Sequence, residues 1–451
     1  MSAMNTQQFY LETYGCQMNI SDSNIIIHAL KSDGWRQTDD MGQAQALIMN
    51  TCSVRHTAEN RILGRLGKFN AEKSKRPHIH IVVTGCFAQR EGVHFREKLP
   101  FIDYVVGTYH VQNIPALLRA DAEQRSVFDS QELFTFAHAV PDTKHSFKSY
   151  VNCIMGCDNR CAYCIVPDVR GPQVSRSSAD ILKDVRRLID TGVTEIIFLG
   201  QTITAYGHDN NDISFAQLLD TAARYNGIRR IRFVSAHPRY FTDELVDVIF
   251  SHDTICKHIH LPLQSGSSSV LQRMGRGYSF EEYMRIIKTI RAHGECALTT
   301  DILVGFPGET DAEYEETITH VQSIGFDDAF MYKYSGRPGV RAERMNNHID
   351  EKVKSERLKN LVAIQLEIGE NRAQRFNMTI GTAVLEGRSR NAQNEWLGRL
   401  DTNQLIIIAQ PSSLSPFMVG QEVPVKITAT RRVTFRGECI EERRSRYGSE
   451  T

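Results

Sequence analysis

No apolar run in this sequence approaches the ~18 residues that a membrane span needs. Its start, MSAMNTQQFY, has no basic flank and no apolar core, so no secretory signal is expected and the protein is predicted to be cytoplasmic, away from any membrane. Net charge is lacking too, with 53 Lys and Arg against 53 Asp and Glu. The bulk field therefore attracts no nucleic acid, and such a partner would need a local basic patch. Hydrophobic content of 41% and charged content of 24% are ordinary for a globular chain. At 451 residues the chain has room for about two to four domains. Cysteine is not scarce. Ten are present, and in a reducing compartment they read as metal or redox ligands before disulfides.

The most informative stretch runs from Val151 to Gly171, VNCIMGCDNRCAYCIVPDVRG. Cys157, Cys161 and Cys164 stand in it as C-x-x-x-C-x-x-C. Structural zinc sites usually use paired C-x-x-C units and four ligands. Three thiolates at uneven spacing suit a [4Fe–4S] cubane with one iron left open to a small molecule. The spacing alone leaves a zinc knuckle or chance as alternatives.

From Met1 to about His145 the pattern alternates. FYLETY (Phe9 to Tyr14), ALIMN (Ala46 to Asn50) and HIHIVVT (His78 to Thr84) read as strands. Ser21 to Ser32 and about Thr57 to Glu72 read as helices. Such alternation predicts βαβ units and a parallel sheet. A cysteine follows each strand: Cys16, Cys52 and Cys86. Ligand sites in open parallel sheets lie beyond the carboxyl ends of strands. The three thiols are thus expected at one sheet edge, as a second three-thiolate cluster site. Taken singly, each would be a small buried hydrophobe.

From about Ser146 to Arg375 the alternation continues through six βα repeats, two short of a closed eight-stranded barrel. An open, partial barrel is expected, with its site at the strand ends. Gly200, Gln201, Thr202 and Thr204 follow the second strand, Ser235, His237 and Arg239 the third, Gln264 the fourth and Phe306 to Glu309 the fifth. These suit a bound nucleoside bearing an amino acid. His237 reads as a capping or core histidine. Ser279 with Glu282 and Thr310 with Glu313 are capping boxes that open two helices. Cys153, Cys256, Cys296 and Cys439 read as plain buried thiols. A long helix from Ile349 to about Arg375 leads onward.

Beyond Phe376 the runs become short and alternating, which predicts a small β-barrel of about 60 residues in the OB-like size class. Seven basic residues fall between Arg388 and Arg436: Arg388, Arg390, Arg399, Lys426, Arg431, Arg432 and Arg436. Arg431, Arg432 and Arg436 flank Phe435, a pattern that suits phosphate contact with base stacking. Phe435 can equally be a core residue of the barrel. The tail, 442–451, reads as disordered.

ETYGCQMN, NTCSVRHTAE, TGCFAQRE, the GCDNRCAYC loop, LGQTITAYG, SAHPR, LPLQSGS and DILVGFPGET together resemble the MiaB-type tRNA methylthiotransferases, a radical S-adenosylmethionine (SAM) family. The resemblance runs from about Phe9 to Ile440. It implies an α/β chain in three parts: an N-terminal parallel α/β sheet domain over 1–145, a central partial (β/α)6 radical SAM barrel with a linker helix over 146–375, and a TRAM RNA-binding barrel over 376–441. Two stretches depart from the family's usual runs. GQTIT stands where a GQNVN-like run is common, and RGPQVSR where a more basic RGRERSR-like run is common.

The resemblance implies insertion of a methylthio group at carbon 2 of the prenylated adenosine beside the anticodon. An unactivated aromatic C–H bond offers no leaving group, so cofactor radical chemistry is required. By resemblance, Cys157, Cys161 and Cys164 hold the [4Fe–4S] cluster that binds and cleaves SAM, and Tyr163 lies against the SAM adenine. Gly200, Gln201, Ser235 and Gln264 are candidates around its methionine and ribose. Cys16, Cys52 and Cys86 hold a second [4Fe–4S] cluster that carries the sulfur, which a second SAM methylates. The barrel, through Arg431, Arg432, Phe435 and Arg436, grips the anticodon arm of tRNA. Expected partners are an electron donor such as flavodoxin or ferredoxin and sulfur-delivery or cluster-carrier proteins, around a monomer. Related enzymes act on threonylcarbamoyl-adenosine in tRNA or on a ribosomal-protein aspartate. A non-catalytic alternative is an iron–sulfur RNA-binding redox sensor, though a pure sensor needs no open iron.

Overall fold

The computed structural model describes residues 6–52, 56–92, 94–119, 126–127, 136–142, 144–389, 394–411 and 415–440. The tail 442–451 and Arg390 lie outside the described residues. The chain divides into two compact units. The first comprises Met1–Ile228, Phe233–Ser235 and Gly336–Arg344, and the second comprises Arg229–Arg232, Ala236–Ser335 and Met345–Thr451.

The first unit opens with β1 (Gln8–Thr13), α1 (Gln17–Ser32), β2 (Arg36–Gln37), β3 (Ala46–Thr51) and α2 (His56–Lys75). Then come β4 (His80–Gly85), α3 (Cys86–Glu91), α4 (His94–Lys98), β5 (Tyr104–Val106), α5 (Ile114–Arg119) and β6 (Ser126–Val127). The strands form one parallel sheet in the order β2-β1-β3-β4-β5-β6. Three of them, β2, β5 and β6, are too short to show a period-2 pattern, and sequence reasoning missed them. Both faces of the sheet are covered. One packs Ile26, Leu30 and Ile114 against Phe9, Ile48 and Val106. The other packs Leu66, Phe69 and Phe95 against Leu47, Ile81 and Val83. That two-sided burial is why β3 reads as an unbroken apolar run.

Helix α1 starts at Gln17 rather than Ser21. Its first turns carry the polar residues Asn19, Ser21, Asp22, Ser23 and Asn24, and all five are buried. They are tolerated because partners exist: Asn19 Nδ2 donates to Asn50 Oδ1 at 3.0 Å, and Asn50 Nδ2 donates to Ser23 Oγ at 2.9 Å.

The same unit continues with β7 (Lys148–Asn152), β8 (Ile154–Met155), α6 (Val166–Arg170), β9 (Val174–Ser175), α7 (Ser178–Asp190), β10 (Glu195–Leu199) and α8 (Phe215–Ala223). β7 and β10 pair in parallel. The short antiparallel pair β8·β9 brackets the cysteine loop. Met18 of α1 shares a core with Tyr150, Met155, Ile197 and Leu199, so residues on either side of position 145 fold as one body.

The division between the units falls within β11 (Arg230–Phe233). The second unit continues with α9 (Asp243–Ser251), β12 (His258–His260), α10 (Ser268–Met274), α11 (Phe280–His293), β13 (Ala297–Val304), α12 (Asp311–Ile324), β14 (Asp328–Lys333) and α13 (Glu351–Ala373). The six strands expected of the central part are thus present as β7, β10, β11, β12, β13 and β14. Strands β12, β13 and β14 are parallel neighbours. Both predicted capping boxes are formed, at Ser279 with Glu282 and at Thr310 with Glu313.

β15 (Ile380–Arg388), β16 (Glu395–Leu400), β17 (Leu405–Ala409), β18 (Glu422–Arg431) and β19 (Thr434–Cys439) close a barrel in the order β15-β16-β17-β19-β18. Within this unit Arg230 and Arg232 fasten the barrel to β11. Their guanidinium groups donate to the carbonyls of Thr382, Arg399, Leu400 and Asp401 at 2.7 to 2.9 Å. Among the described residues no helix is long and apolar enough to cross a membrane.

Candidate functional site

The sheet topology sets the first group of thiols. Cys52 follows β3 directly, Cys86 follows β4 directly, and Cys16 caps the start of α1 three residues after β1. Parallel strands put all three at one carboxyl edge, as expected. Gly85 shows how tight that edge is. Its φ is +93°, and a Cβ there would lie 2.3 Å from the Thr51 carbonyl oxygen. Only glycine has both the conformation and the space. Cys52 and Cys86 are buried and Cys16 is exposed. Burial pushes the Cys86 thiol up, while the Arg170 charge opposes that shift and Cys16 adds to it.

The second group sits on the loop between β8 and β9. At Gly156 the backbone takes φ +76°, and a Cβ would lie 1.9 Å from the Pro172 carbonyl oxygen. Cys157 N donates to the Gly171 carbonyl at 3.0 Å, so the loop's two ends are stitched together. Cys164 N donates to the Cys161 carbonyl at 3.1 Å, closing a tight turn. Donors meet the sulfurs directly: Val166 N to Cys164 Sγ at 3.4 Å and Asn159 Nδ2 to Cys157 Sγ at 3.5 Å. Thr202 Oγ1 lies 3.2 Å from Cys157 Sγ. Such donors favour a charged or metal-bound sulfur over a neutral thiol. Among the described residues no three His, Cys, Asp or Glu side chains stand as a metal-ion group. The fit to iron–sulfur clusters therefore rests on the chemistry of the thiols, three at strand ends and three on one loop, and on the donors aimed at Cys86, Cys157 and Cys164.

The candidates for SAM contact are placed at strand ends. Gly200 follows β10 and packs against Ile154 and Ile203. Gln201 follows it, and its buried Oε1 accepts no hydrogen bond among the described residues. A buried acceptor without a protein donor is able to take one from a ligand. Ser235 holds φ +65°, and its carbonyl accepts from Ile203 N at 3.1 Å. Tyr163 is half-buried beside Cys164. All of these lie in the first unit with the six cysteines. Gln264 lies in the second unit. It holds φ +68° and bridges β13 through Asp301 and Leu303. Backbone held in such a sparsely populated region is costly and tends to mark functional positions.

Several strand-end residues turn out to be structural. Phe306 is core, and buried Glu309 accepts from Gly305 N at 2.6 Å and from Arg357 Nη1 at 2.7 Å. His237 is a cap, accepting from Arg239 N at 3.2 Å. Cys153, Cys256 and Cys296 are buried as expected, and Cys439 is half-buried.

In the barrel one expectation is overturned. Phe435 is 1% exposed and packs among Ala383, Ile406, Val425 and Ile427, so its ring is not presented to a base. Alternation along β19 points it inward, and the arginines beside it point elsewhere. Arg431 is exposed. Arg436 is exposed and pairs with Glu395 at 2.9 Å. Arg432 adopts φ +46° and lays its stem over Gly369 of α13, where its charge opposes the burial that raises the Asp328 carboxyl.

Sequence reasoning also missed Arg170, Asn159 and the Thr202 contact to Cys157. Arg170 opens the RGPQVSR run, but nothing local in that run marks its buried contacts.

Three family descriptions match the chain in succession. "Uncharacterized protein family UPF0004" matches residues 8–107, the Radical SAM superfamily 151–321 and the TRAM domain 382–440. Full-length relatives are similar too. The protein named tRNA-2-methylthio-N(6)-dimethylallyladenosine synthase of Syntrophotalea carbinolica is 38% identical over 96% of this chain and 100% of its own. The one of that name from Thermoanaerobacter pseudethanolicus is 39% identical, covering 96% and 93%. Among solved structures, the radical S-adenosylmethionine methyltransferase TsrM of Kitasatospora setae, with cobalamin and a [4Fe-4S] cluster bound, covers 75% of this chain and 74% of its own. Its TM-score is 0.55 at 15% identity, a likeness of fold.

Proposed function

The chain belongs to the tRNA-2-methylthio-N(6)-dimethylallyladenosine synthase family, and on that premise we propose how its residues divide the work. It is a radical SAM methylthiotransferase that inserts a methylthio group at carbon 2 of N(6)-isopentenyladenosine in tRNA, next to the anticodon. The observation that carries this is near-full-length similarity to synthases of that name, across three successive family matches.

A [4Fe–4S] cluster with SAM supplies, when bound, the one-electron chemistry that an unactivated aromatic C–H bond requires. Cys157, Cys161 and Cys164 would hold it, on a loop fixed by the Gly156 crossing and the Cys157–Gly171 hydrogen bond. Asn159 and Thr202 orient the Cys157 sulfur. Gln201 would offer its open acceptor to the SAM amino group, with Gly200, Ser235 and Tyr163 of the same unit as further candidates for that ligand, and Gln264 is a candidate from the second unit. Cys16, Cys52 and Cys86 would hold a second [4Fe–4S] cluster whose role is to carry sulfur. Exposed Arg431 and Arg436 would meet tRNA phosphates, while Arg432 stays on α13. A reductant such as flavodoxin or ferredoxin and a cluster carrier complete the set, and the working form is a cytoplasmic monomer. By function the chain would divide into three parts, 1–145, 146–375 and 376–441, the first sharing one compact unit with the start of the second.

The experiment is mass spectrometry of tRNA nucleosides from cells with and without this chain. The methylthio nucleoside should vanish without it and its unthiolated precursor accumulate. Loss of a methylthio form of threonylcarbamoyl-adenosine instead would point to that relative's activity, and wholly unchanged nucleosides to a ribosomal aspartate or a sensor.

A further inference from the structure

Arg170 closes α6 and is 2% exposed. A buried guanidinium is costly unless its donors and charge are matched. Arginine facing a carboxylate usually uses two parallel bonds. Arg170 does not. Its Nη2 donates to Asp22 Oδ2 at 2.6 Å. Its Nε turns away to Cys86 Sγ at 3.4 Å, and Nη1 meets Met155 Sδ at 3.6 Å. Asp22 is itself 2% exposed and belongs to α1, the helix that Cys16 caps. Beside it Ser21 Oγ donates to Asn152 Oδ1 at 3.3 Å. Met155 ends β8, directly before the loop that carries Cys157. One buried cation therefore touches the Cys16 helix, the Cys86 sulfur and the strand entering the second cysteine loop, all within the first unit.

The direction of Nε is the informative part. A neutral thiol is a weak acceptor, and a buried charged donor gains little from it. A cluster-bound sulfur carries negative charge and accepts strongly. Hydrogen bonds and net charge at the sulfurs are main determinants of an iron–sulfur reduction potential. We propose that Arg170 is a positioning residue of the Cys16–Cys52–Cys86 site, whose Nε hydrogen bond to the Cys86 sulfur raises the reduction potential of the [4Fe–4S] cluster held there. The inference rests on the reading of that triplet as cluster ligands. The reduced cluster bears one more negative charge than the oxidised one, so a fixed cation in contact favours it.

The test uses the full chain carrying Cys157→Ala, Cys161→Ala and Cys164→Ala, reconstituted anaerobically so that only the other triplet can load. Iron content is measured first, then the midpoint potential by a redox titration followed by electron paramagnetic resonance. Arg170→Met alone would strand a buried carboxylate, so it is combined with Asp22→Asn. Arg170→Lys keeps the charge and loses the fork. With the double change, the ratio of reduced to oxidised cluster at a fixed potential should fall about tenfold, equal to ~59 mV for a one-electron couple. Arg170→Lys should fall between the two. Equal midpoint potentials would overturn the proposal. A folded variant that loads no iron would also overturn it, making Arg170 a support of the site and not a tuner. If the parent with Arg170 intact holds no iron, the ligand assignment itself is wrong, and the proposal goes with it.

Discussion

His237 shows how one buried side chain ties stability to pH. Burial, reinforced by the Arg276 and Arg239 charges, pushes its imidazole down to about 2. In the unfolded chain it titrates near ~6.5. The folded group is thus the weaker base, and the stability held in neutral His237 is present above that value. It is lost progressively as pH falls below it, by at most ~1.4 kcal/mol per pH unit. Thermal melts at pH 7.5 and 5.5 should therefore differ more for the parent than for His237→Gln, which keeps an acceptor for Arg239 N. Equal differences in the two proteins would show that His237 is not held neutral.

Phe435 belongs to the same scale. Its sequence context gave two readings, because alternation along a strand says that one face is buried but not which residue faces a partner. Packing decides for the core. Phe435→Ala should cost about 3–5 kcal/mol, as large aromatic deletions in cores do. The barrel should then melt early in a two-transition thermal scan. A variant that melts like the parent while losing tRNA affinity would restore the stacking idea.

At the scale of elements, the legible features were those with a local physical signature. Capping boxes mark α11 and α12, and strand-then-cysteine order places three thiols at one edge. Short strands and the buried polar face of α1 were illegible, because partners distant in sequence make them possible. The loop bracketed by β8 and β9 is the element most sensitive to backbone change. Gly156→Ala adds a methyl where only 1.9 Å is open to a carbonyl oxygen, at a φ that side chains rarely adopt. Reconstituted Gly156→Ala should lose about half of its iron, that of the adjacent cysteine loop, while the other triplet still loads. Full iron in that variant would mean that the crossing is not needed to shape the loop.

The barrel makes a separate prediction. Arg431 and Arg436 are exposed, and the Arg436–Glu395 surface pair is worth at most ~1 kcal/mol, so a phosphate can displace it. Arg431→Ala with Arg436→Ala should weaken tRNA binding and flatten its salt dependence. Each lost phosphate contact should reduce the slope of log affinity against log salt by roughly 0.7 to 0.9. Binding assays across a salt series measure this directly. An unchanged slope would move the phosphate contacts off this strand.

At the scale of the whole molecule, all six candidate cluster cysteines fall in one compact unit, so the fold keeps both thiol sets on a single body. The proposal is a division of labour between them: the Cys157 loop for SAM cleavage, the Cys16–Cys52–Cys86 edge for sulfur. A sequence shows both triplets but not that they share a core through Met18, Tyr150 and Met155, or that Arg170 links them. The most direct measurement follows two products in one anaerobic reaction of reduced, reconstituted Cys52→Ala protein with prenylated tRNA. 5′-Deoxyadenosine should still form while the methylthio nucleoside does not. Loss of both products from correctly folded protein, or continued methylthiolation, would contradict the division.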